Sequence, residues 1–356
     1  MPYVQLNDLE LYYEEYGKGE TVLFLHSHFS RGVIAFEGQF NAFSARYRCL
    51  FPDFRGHGKT KCKSLEWNSR MIVDDMAEFI DALKLKSVHI IGYSCGASVG
   101  CYLAAKYPEK VKSLTTIGGG VYPRPEGATN YLPEKVNSTF AEEMNVRHFE
   151  AHNGDWQTYL RMTVSDWQSH PSLTDKEWES IKCPAFFING ENDPFGTCAE
   201  LLQKVPHANS FEVKDAGHRP HFPNEQADEV NEMIFEFLDN WKTNNIGCCG
   251  HDCSMCTTYL ATIKNDDTLR KQSQQFYNTM FGLDIPLDEV NCFGCRSNNV
   301  FKLCKSCPFA KCASERKIAE CSECVEYPCN ALAEYQEKYV NKCNQVTCDR
   351  GDRINE

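Results

Sequence analysis

Over the first two thirds of the chain, apolar runs alternate with stretches of helical period. The runs TVLFLHS, YRCLFPDF, SVHIIGYS, VKSLTTIGG, CPAFFING and NSFEVKDA are rich in β-branched and aromatic residues. Their nearly continuous apolar character is that of strands covered on both faces. Between them, NSRMIVDDMAEFIDALKL places Ile72, Met76, Ile80 and Leu83 on one helical face, with Asn68 or Ser69 as its cap. Residues 2–16 alternate and turn at Asn7-Asp8, which predicts a hairpin. Strand and helix in alternation predict an α/β class with a mostly parallel, doubly wound sheet, whose ligand site lies at the C-terminal ends of the strands.

The alternation breaks twice. Residues 121–181 carry no strand-like run but hold Tyr131, Phe140, Phe149, Trp156, Tyr159, Met162, Trp167 and Trp178, and they read as a small helical lid that offers an apolar lining. Pro123-Arg124-Pro125 marks its entry and Lys182-Cys183-Pro184 its exit. The amphipathic stretch 222–242 closes a first domain spanning 1–243. After a polar linker, 248–345 reads as a second, cysteine-rich domain, and 346–356 as a polar tail.

Composition sharpens this division. The chain has 356 residues and a net charge of −12, and residues 1–243 account for about −10 of it. Neither part carries the basic footprint of a nucleic-acid binder. No window of about 18 apolar residues occurs, so no membrane span is expected. The N-terminus lacks the basic-then-apolar order of a secretory signal, so a cytoplasmic, reducing compartment is expected. Six of the 20 cysteines precede residue 244 and fourteen follow it. In a reducing compartment, dense and regularly spaced cysteines point to metal rather than disulfides.

The candidate chemistry sits at strand ends. Gly92-Tyr93-Ser94-Cys95-Gly96 follows the strand VHIIG and opens a helix. A sharp strand-to-helix turn needs small residues two before and two after its apex, which selects Ser94, flanked by Gly92 and Gly96, over Cys95, flanked by Tyr93 and Ala97. The Cys95 N–H then becomes an oxyanion donor. Asp193 follows the strand AFFIN and His218 follows SFEV. Ser, Asp and His in that order, each after its own strand, form the expected nucleophile, orienting acid and base; Glu191 and His221 are the nearest substitutes. A second oxyanion donor is expected from the loop after TVLFLHS.

Through LHSHFS, DFRGHGKT, GYSCGAS, GENDPF and AGHRPHF, residues 2–242 resemble the α/β-hydrolase superfamily. The resemblance implies that Ser94, Asp193 and His218 act as a triad, with the His28 and Cys95 N–H groups as the oxyanion hole. Two positions depart from the family pattern. His26-Ser27 replaces the usual His-Gly, and Lys59 replaces a small hydroxyl residue after R-G-H-G. Serine at the elbow separates the chain from the dehalogenases and epoxide hydrolases of the superfamily, which use aspartate there.

The second domain carries Cys249-x3-Cys253-x2-Cys256, Cys292-x2-Cys295, Cys304-x2-Cys307-x4-Cys312 and Cys321-x2-Cys324-x4-Cys329. C-x-x-C lets two thiolates reach one metal from a tight turn, so these eleven are candidate ligands. Zinc is favoured; iron–sulfur clusters and metal-free cysteines, reduced or in disulfides, stay open, as do Cys248, Cys343, Cys348 and His251 as further ligands. The cysteine pattern of 248–341 resembles a family of small prokaryotic domains without established function. The chain as a whole reads as a serine hydrolase acting on a small-molecule ester or thioester. It needs no cofactor for hydrolysis, and its metal-binding appendage is a candidate docking site for a protein partner. Left open are an iron–sulfur redox or sensor protein with a hydrolase-like ligand-binding domain, and an amidase or peptidase of the same fold.

Overall fold

The computed structural model describes residues 3–120, 127–169, 173–240, 247–248, 253, 256–263, 266–292, 294–295, 300–316, 318 and 321–337. The chain divides into two compact units, Met1–Leu238 and Asp239–Glu356. The entry to the lid at 123–125 and the tail at 346–356 lie outside the described residues.

The first unit is built on one sheet. β1 (Tyr3–Gln5) and β2 (Leu9–Tyr16) form the N-terminal hairpin, in which Leu6 N–H donates to Leu9 O at 2.9 Å. The central strands are β3 (Thr21–Leu25), β4 (Arg48–Pro52), β6 (Val88–Tyr93), β7 (Val111–Ile117), β8 (Ala185–Gly190) and β9 (Asn209–Val213). They run parallel in the order β4-β3-β6-β7-β8-β9, with β2 antiparallel on β4 and the short β5 (Lys61–Cys62) on β2. The six apolar runs are thus the six parallel strands, and the expected α/β architecture is the observed one.

Pleating sends alternate residues of each strand to opposite faces. Val22 and Phe24 pack in one core with α1 (Glu37–Ser44) and α8 (Ala227–Asn240). Leu23 and Leu25 pack in the other with α2 (Ser69–Ala82) and α3 (Cys95–Lys106). The cap of α2 is Asn68, whose Oδ1 accepts the Met71 N–H at 2.9 Å; Ile72, Met76 and Ile80 are its buried face. Between β7 and β8 the chain forms α4 (Ser138–His152), α5 (Trp156–Ser169) and α6 (Asp175–Ser180), and α7 (Cys198–Lys204) follows β8.

The second unit is helical: α9 (Thr257–Ile263), α10 (Asp267–Phe281), α11 (Pro308–Arg316) and α12 (Asn330–Tyr335). Among its described residues are two small cores, one of Ile285, Val290, Cys292 and Phe301, the other of Phe309, Cys321 and Leu332. Cores of this size supply little burial energy, so such a domain leans on other ties.

Candidate active site

β6 ends in the buried Tyr93, and the chain reverses at Ser94 into α3. Ser94 has φ 54° and ψ −114°, a backbone state that costs a side-chain-bearing residue energy and persists only where its surroundings impose it. The two flanking glycines leave room for it. A Cβ on Gly92 would lie 2.2 Å from Gly96 O, and one on Gly96 would lie 1.9 Å from Leu25 O. The strained turn lifts Ser94 Oγ off the sheet edge and places the Cys95 N–H in the first turn of α3, where amides lack an intrahelical acceptor and favour negative charge.

Two more strand ends supply its partners. His218, in the loop after β9, has Nε2 3.0 Å from Ser94 Oγ and Nδ1 3.0 Å from both Asp193 oxygens. Asp193, in the loop after β8, has a fully buried side chain, whereas that of His218 is 20% exposed. Asp193 is itself held: Phe195 N–H donates to Oδ1 at 2.8 Å, and Asn189 Nδ2 to Oδ2 at 3.3 Å. Asn189 also donates to Gly119 O and Gly196 O, binding the loops after β7 and β8 together. With Asp193 accepting at Nδ1, the imidazole presents a lone pair at Nε2 toward the serine hydroxyl.

The substitutes lie elsewhere. Glu191 Oε2 accepts the Asp215 N–H at 2.9 Å, and His221 is fully buried with Nε2 donating to Ala35 O at 3.1 Å. Burial lowers the His221 pKa to about 3.

His28, in the loop after β3, is buried, and Cys95 is 7% exposed. Ser27, where a glycine is usual, is not among the described non-glycine residues with positive φ; it starts an ordinary turn in which Ser30 N–H donates to Ser27 O at 3.1 Å. The following Phe29 ring meets Tyr131, Phe140 and Trp167 at centroid distances of 4.8, 5.3 and 5.4 Å, an aromatic wall beside the loop after β3. Phe195 stands 4.6 Å from the His218 ring. Of the other lid aromatics, Tyr159 and Trp178 are buried and Phe149 is half exposed. The R-G-H-G turn is structural. Arg55 makes paired bonds to Asp75 and Asp8, and the Lys59 N–H donates to the buried Asp53. Two surface cavities, of about 350 and 430 Å³, run along α4, and neither is lined by Ser94, Asp193 or His218.

Residues 20–153 match the family model described as alpha/beta hydrolase fold. The amino-terminal unit is an α/β-hydrolase-fold domain. Residues 245–334 match a second family, a protein of unknown function, DUF3795. The serine hydrolase BPHL of Mus musculus is 26% identical over 252 residues, covering 66% of this chain and 85% of that protein. A 2-(acetamidomethylene)succinate hydrolase of Mesorhizobium japonicum is 29% identical over 149 residues, covering 42% of this chain and 53% of that protein. This chain spans 44% and 40% of two further curated relatives. The meta-cleavage product hydrolase CumD of Pseudomonas fluorescens IP01 superposes with a TM-score of 0.55 at 18% identity, over 65% of this chain and 95% of that one. The enol-lactonase of Burkholderia xenovorans LB400 does so with 0.52 at 21%, over 67% and 100%. The likeness to these structures is one of fold.

In the DUF3795 domain, Cys249 and His251 lie outside the described residues, as do Cys343 and Cys348. Among the described residues, Cys248 Sγ stands 3.6 Å from Cys295 Sγ, and the Cys248 N–H donates to Cys295 Sγ at 3.2 Å. The Gly294 N–H donates to Cys292 Sγ at 3.4 Å. Cys304 packs against the core that holds Cys292, and Cys307 and Cys329 against the core that holds Cys321. Arg316 donates to Cys324 Sγ at 3.3 Å. Cys253 is buried, and Cys256 and Cys312 are partly buried. No three of the described His, Cys, Asp and Glu side chains converge as a metal requires. No helix among the described residues is long and apolar enough to cross a membrane.

Proposed function

We propose that the protein is a serine hydrolase that cleaves a small carboxylic ester or thioester through an acyl-enzyme intermediate. The observation that carries this reading is the hydrogen-bonded chain from Ser94 through His218 to Asp193, with 3.0 Å at each link. His218 Nε2 takes the Ser94 proton as Oγ attacks the acyl carbon, and Asp193 holds the ring and balances its charge. The Cys95 and His28 N–H groups hold the oxyanion. His218 then protonates the departing alcohol or thiol, and a water repeats the sequence to release the acid. The aromatic wall around Phe29 favours a modest apolar or aromatic acyl group.

The test is a series of p-nitrophenyl esters and thioesters of graded chain length, with p-nitroanilides beside them, on wild type and His218→Ala. Ester turnover that falls roughly 10³-fold or more in the variant is expected. Anilides cleaved faster than esters would move the reading to an amidase, and equal rates in both proteins would end it.

We infer further that the cysteine-rich domain takes up zinc in a reducing, cytoplasmic setting, through thiolates drawn from Cys249, Cys253, Cys256, Cys292, Cys295, Cys304, Cys307, Cys312, Cys321, Cys324 and Cys329. The backbone N–H groups turned onto the Cys292 and Cys295 sulfurs support it. So does the 3.6 Å between Cys295 and Cys248, a further candidate ligand, well beyond the disulfide bond of about 2.05 Å. It is close to the roughly 3.8 Å separating two thiolates on a tetrahedral zinc with bonds of about 2.3 Å.

A further inference from the structure

Besides the Cys95 thiol on α3, the ring and the carbonyl of His28 are held by one lid helix. Tyr159 OH donates to the His28 carbonyl oxygen. Trp167 Nε1–H donates to His28 Nδ1 at 2.7 Å, and His28 Nε2 stands 3.0 Å from Asp166 Oδ2. All three partners belong to α5, 131, 138 and 139 residues further along the chain.

The ring's proton follows from these partners. Burial opposes a charge on His28, while the Cys95 thiol and the Asp166 carboxylate outweigh it and pull the ring's pKa up; against that pull, the indole N–H directed at Nδ1 leaves no place for a second ring proton. An indole N–H can only donate, so Nδ1 must offer it a lone pair; the single proton therefore sits on Nε2 and is donated to Asp166. Asp166 accepts two more bonds, from Ser69 N–H at 2.7 Å and Ser69 Oγ–H at 2.6 Å. Burial alone would raise the Asp166 pKa, but these donors outweigh it and hold the carboxyl below its ordinary range. Ser69 opens α2, so α5 is anchored to the sheet-covering layer through the carboxylate that grips the loop.

Holding the ring and the carbonyl leaves the His28 nitrogen little freedom, because Cα is tetrahedral and two of its heavy substituents are already placed. The next peptide is held as well, by Arg147 of α4 donating to Phe29 O. In a loop where serine replaces the usual glycine, the lid supplies the restraint from outside.

We propose that α5 sets the position of the His28 N–H, and that Tyr159, Asp166 and Trp167 are positioning residues for the oxyanion hole. This rests on the serine hydrolase reading. Helix α5 thereby couples lid packing to turnover: the lid does more than cover the substrate, because the transition-state donor is aimed only while α5 is docked.

The test uses the full-length chain, p-nitrophenyl acetate as substrate and a trifluoromethyl ketone, which forms an oxyanion on the serine, as inhibitor. Tyr159→Phe deletes one hydroxyl and no packing volume. Its kcat is expected to fall about 10- to 100-fold while KM changes by less than about threefold, since the lost interaction matters in the transition state. The inhibitor constant should rise by the same factor as kcat/KM falls, which a general loss of stability would not produce. Trp167→Phe, which removes the donor to Nδ1, should show the same pattern and serves if Tyr159→Phe does not fold. Values within about twofold of wild type for kcat and inhibitor affinity in the folded variants would overturn the positioning role. Wild type that neither hydrolyses the ester nor binds the ketone would overturn the underlying reading instead.

Discussion

Gly96→Ala isolates the geometry on which the site depends. The added Cβ would stand 1.9 Å from Leu25 O, 2.4 Å from Leu25 C and 2.8 Å from His26 O. All three atoms are backbone, so no side chain can swing away. Clearing the contact requires about 1 Å of separation between the start of α3 and the end of β3, and a shift of that size at reacting groups costs roughly 10²-fold in rate. The same movement pulls apart Cys95 on α3 and His28 on the loop after β3, the donors of the proposed oxyanion hole. Forcing a methyl into packed backbone also costs about 1–3 kcal/mol of stability. By contrast, Gly217→Ala meets nothing within 4 Å and should cost at most about 0.5 kcal/mol. The assay pairs thermal melts by circular dichroism with kcat on a p-nitrophenyl ester, measured well below the melting temperature. Gly96→Ala with wild-type kcat and unchanged melting would refute the claim that this close approach holds Ser94 in place.

Asp193→Asn should leave the fold intact but lower kcat roughly 10⁴-fold, because an amide no longer fixes the proton on His218 Nδ1; a loss under tenfold in steady-state assays would contradict that role. Acid should destabilise the first domain. Burial lowers the pKa of His26 and His221 to about 3, holds His57 and His148 well below 6.5 and lowers His152. The unfolded chain therefore binds protons that the fold refuses. The stability these residues give is complete above about pH 6.5 and declines as pH falls below it. Asp53, raised to about 7 by burial, and Asp75, also raised by burial, act in the opposite sense as pH falls below about 7, but these five histidines and His207, lowered by burial as well, outnumber them. Melting temperatures at pH 5 should lie below those at pH 7.5; the reverse order would show that these rings are protonated in the fold. Anaerobic purification and metal analysis should find about one zinc per four ligating thiolates, with less in Cys253→Ser and Cys292→Ser; zinc-free protein with unchanged far-ultraviolet circular dichroism would exclude a structural metal.

Much of the first domain is legible in the chain because its strands are buried on both faces, which leaves a nearly unbroken apolar signature in TVLFL or AFFING. The elbow is legible because backbone crowding admits only glycine at 92 and 96, and that constraint singles out Ser94 over Cys95. Ser94, Asp193 and His218, taken from the order of strand ends, are the residues that stand within hydrogen-bond distance of one another. What surrounds them is not legible. Asn189 lies inside an apolar run, and only the fold shows its amide joining Asp193 to the loops at Gly119 and Gly196. Asp166 and Trp167 look like ordinary positions on an amphipathic helix, because their partner His28 lies more than 130 residues away. The lid aromatics carry the same ambiguity: hydrophobicity alone does not separate Tyr159, buried and bonded to the loop after β3, from the half-exposed Phe149.

The central claim is that Ser94 is the nucleophile of a serine hydrolase. Labelling full-length wild type and Ser94→Ala with a fluorophosphonate probe, followed by intact-mass measurement and peptide mapping, tests it most directly. The account predicts one adduct per chain, located on Ser94 and absent from the folded variant. An unlabelled wild type, or an adduct that persists in Ser94→Ala, would contradict it.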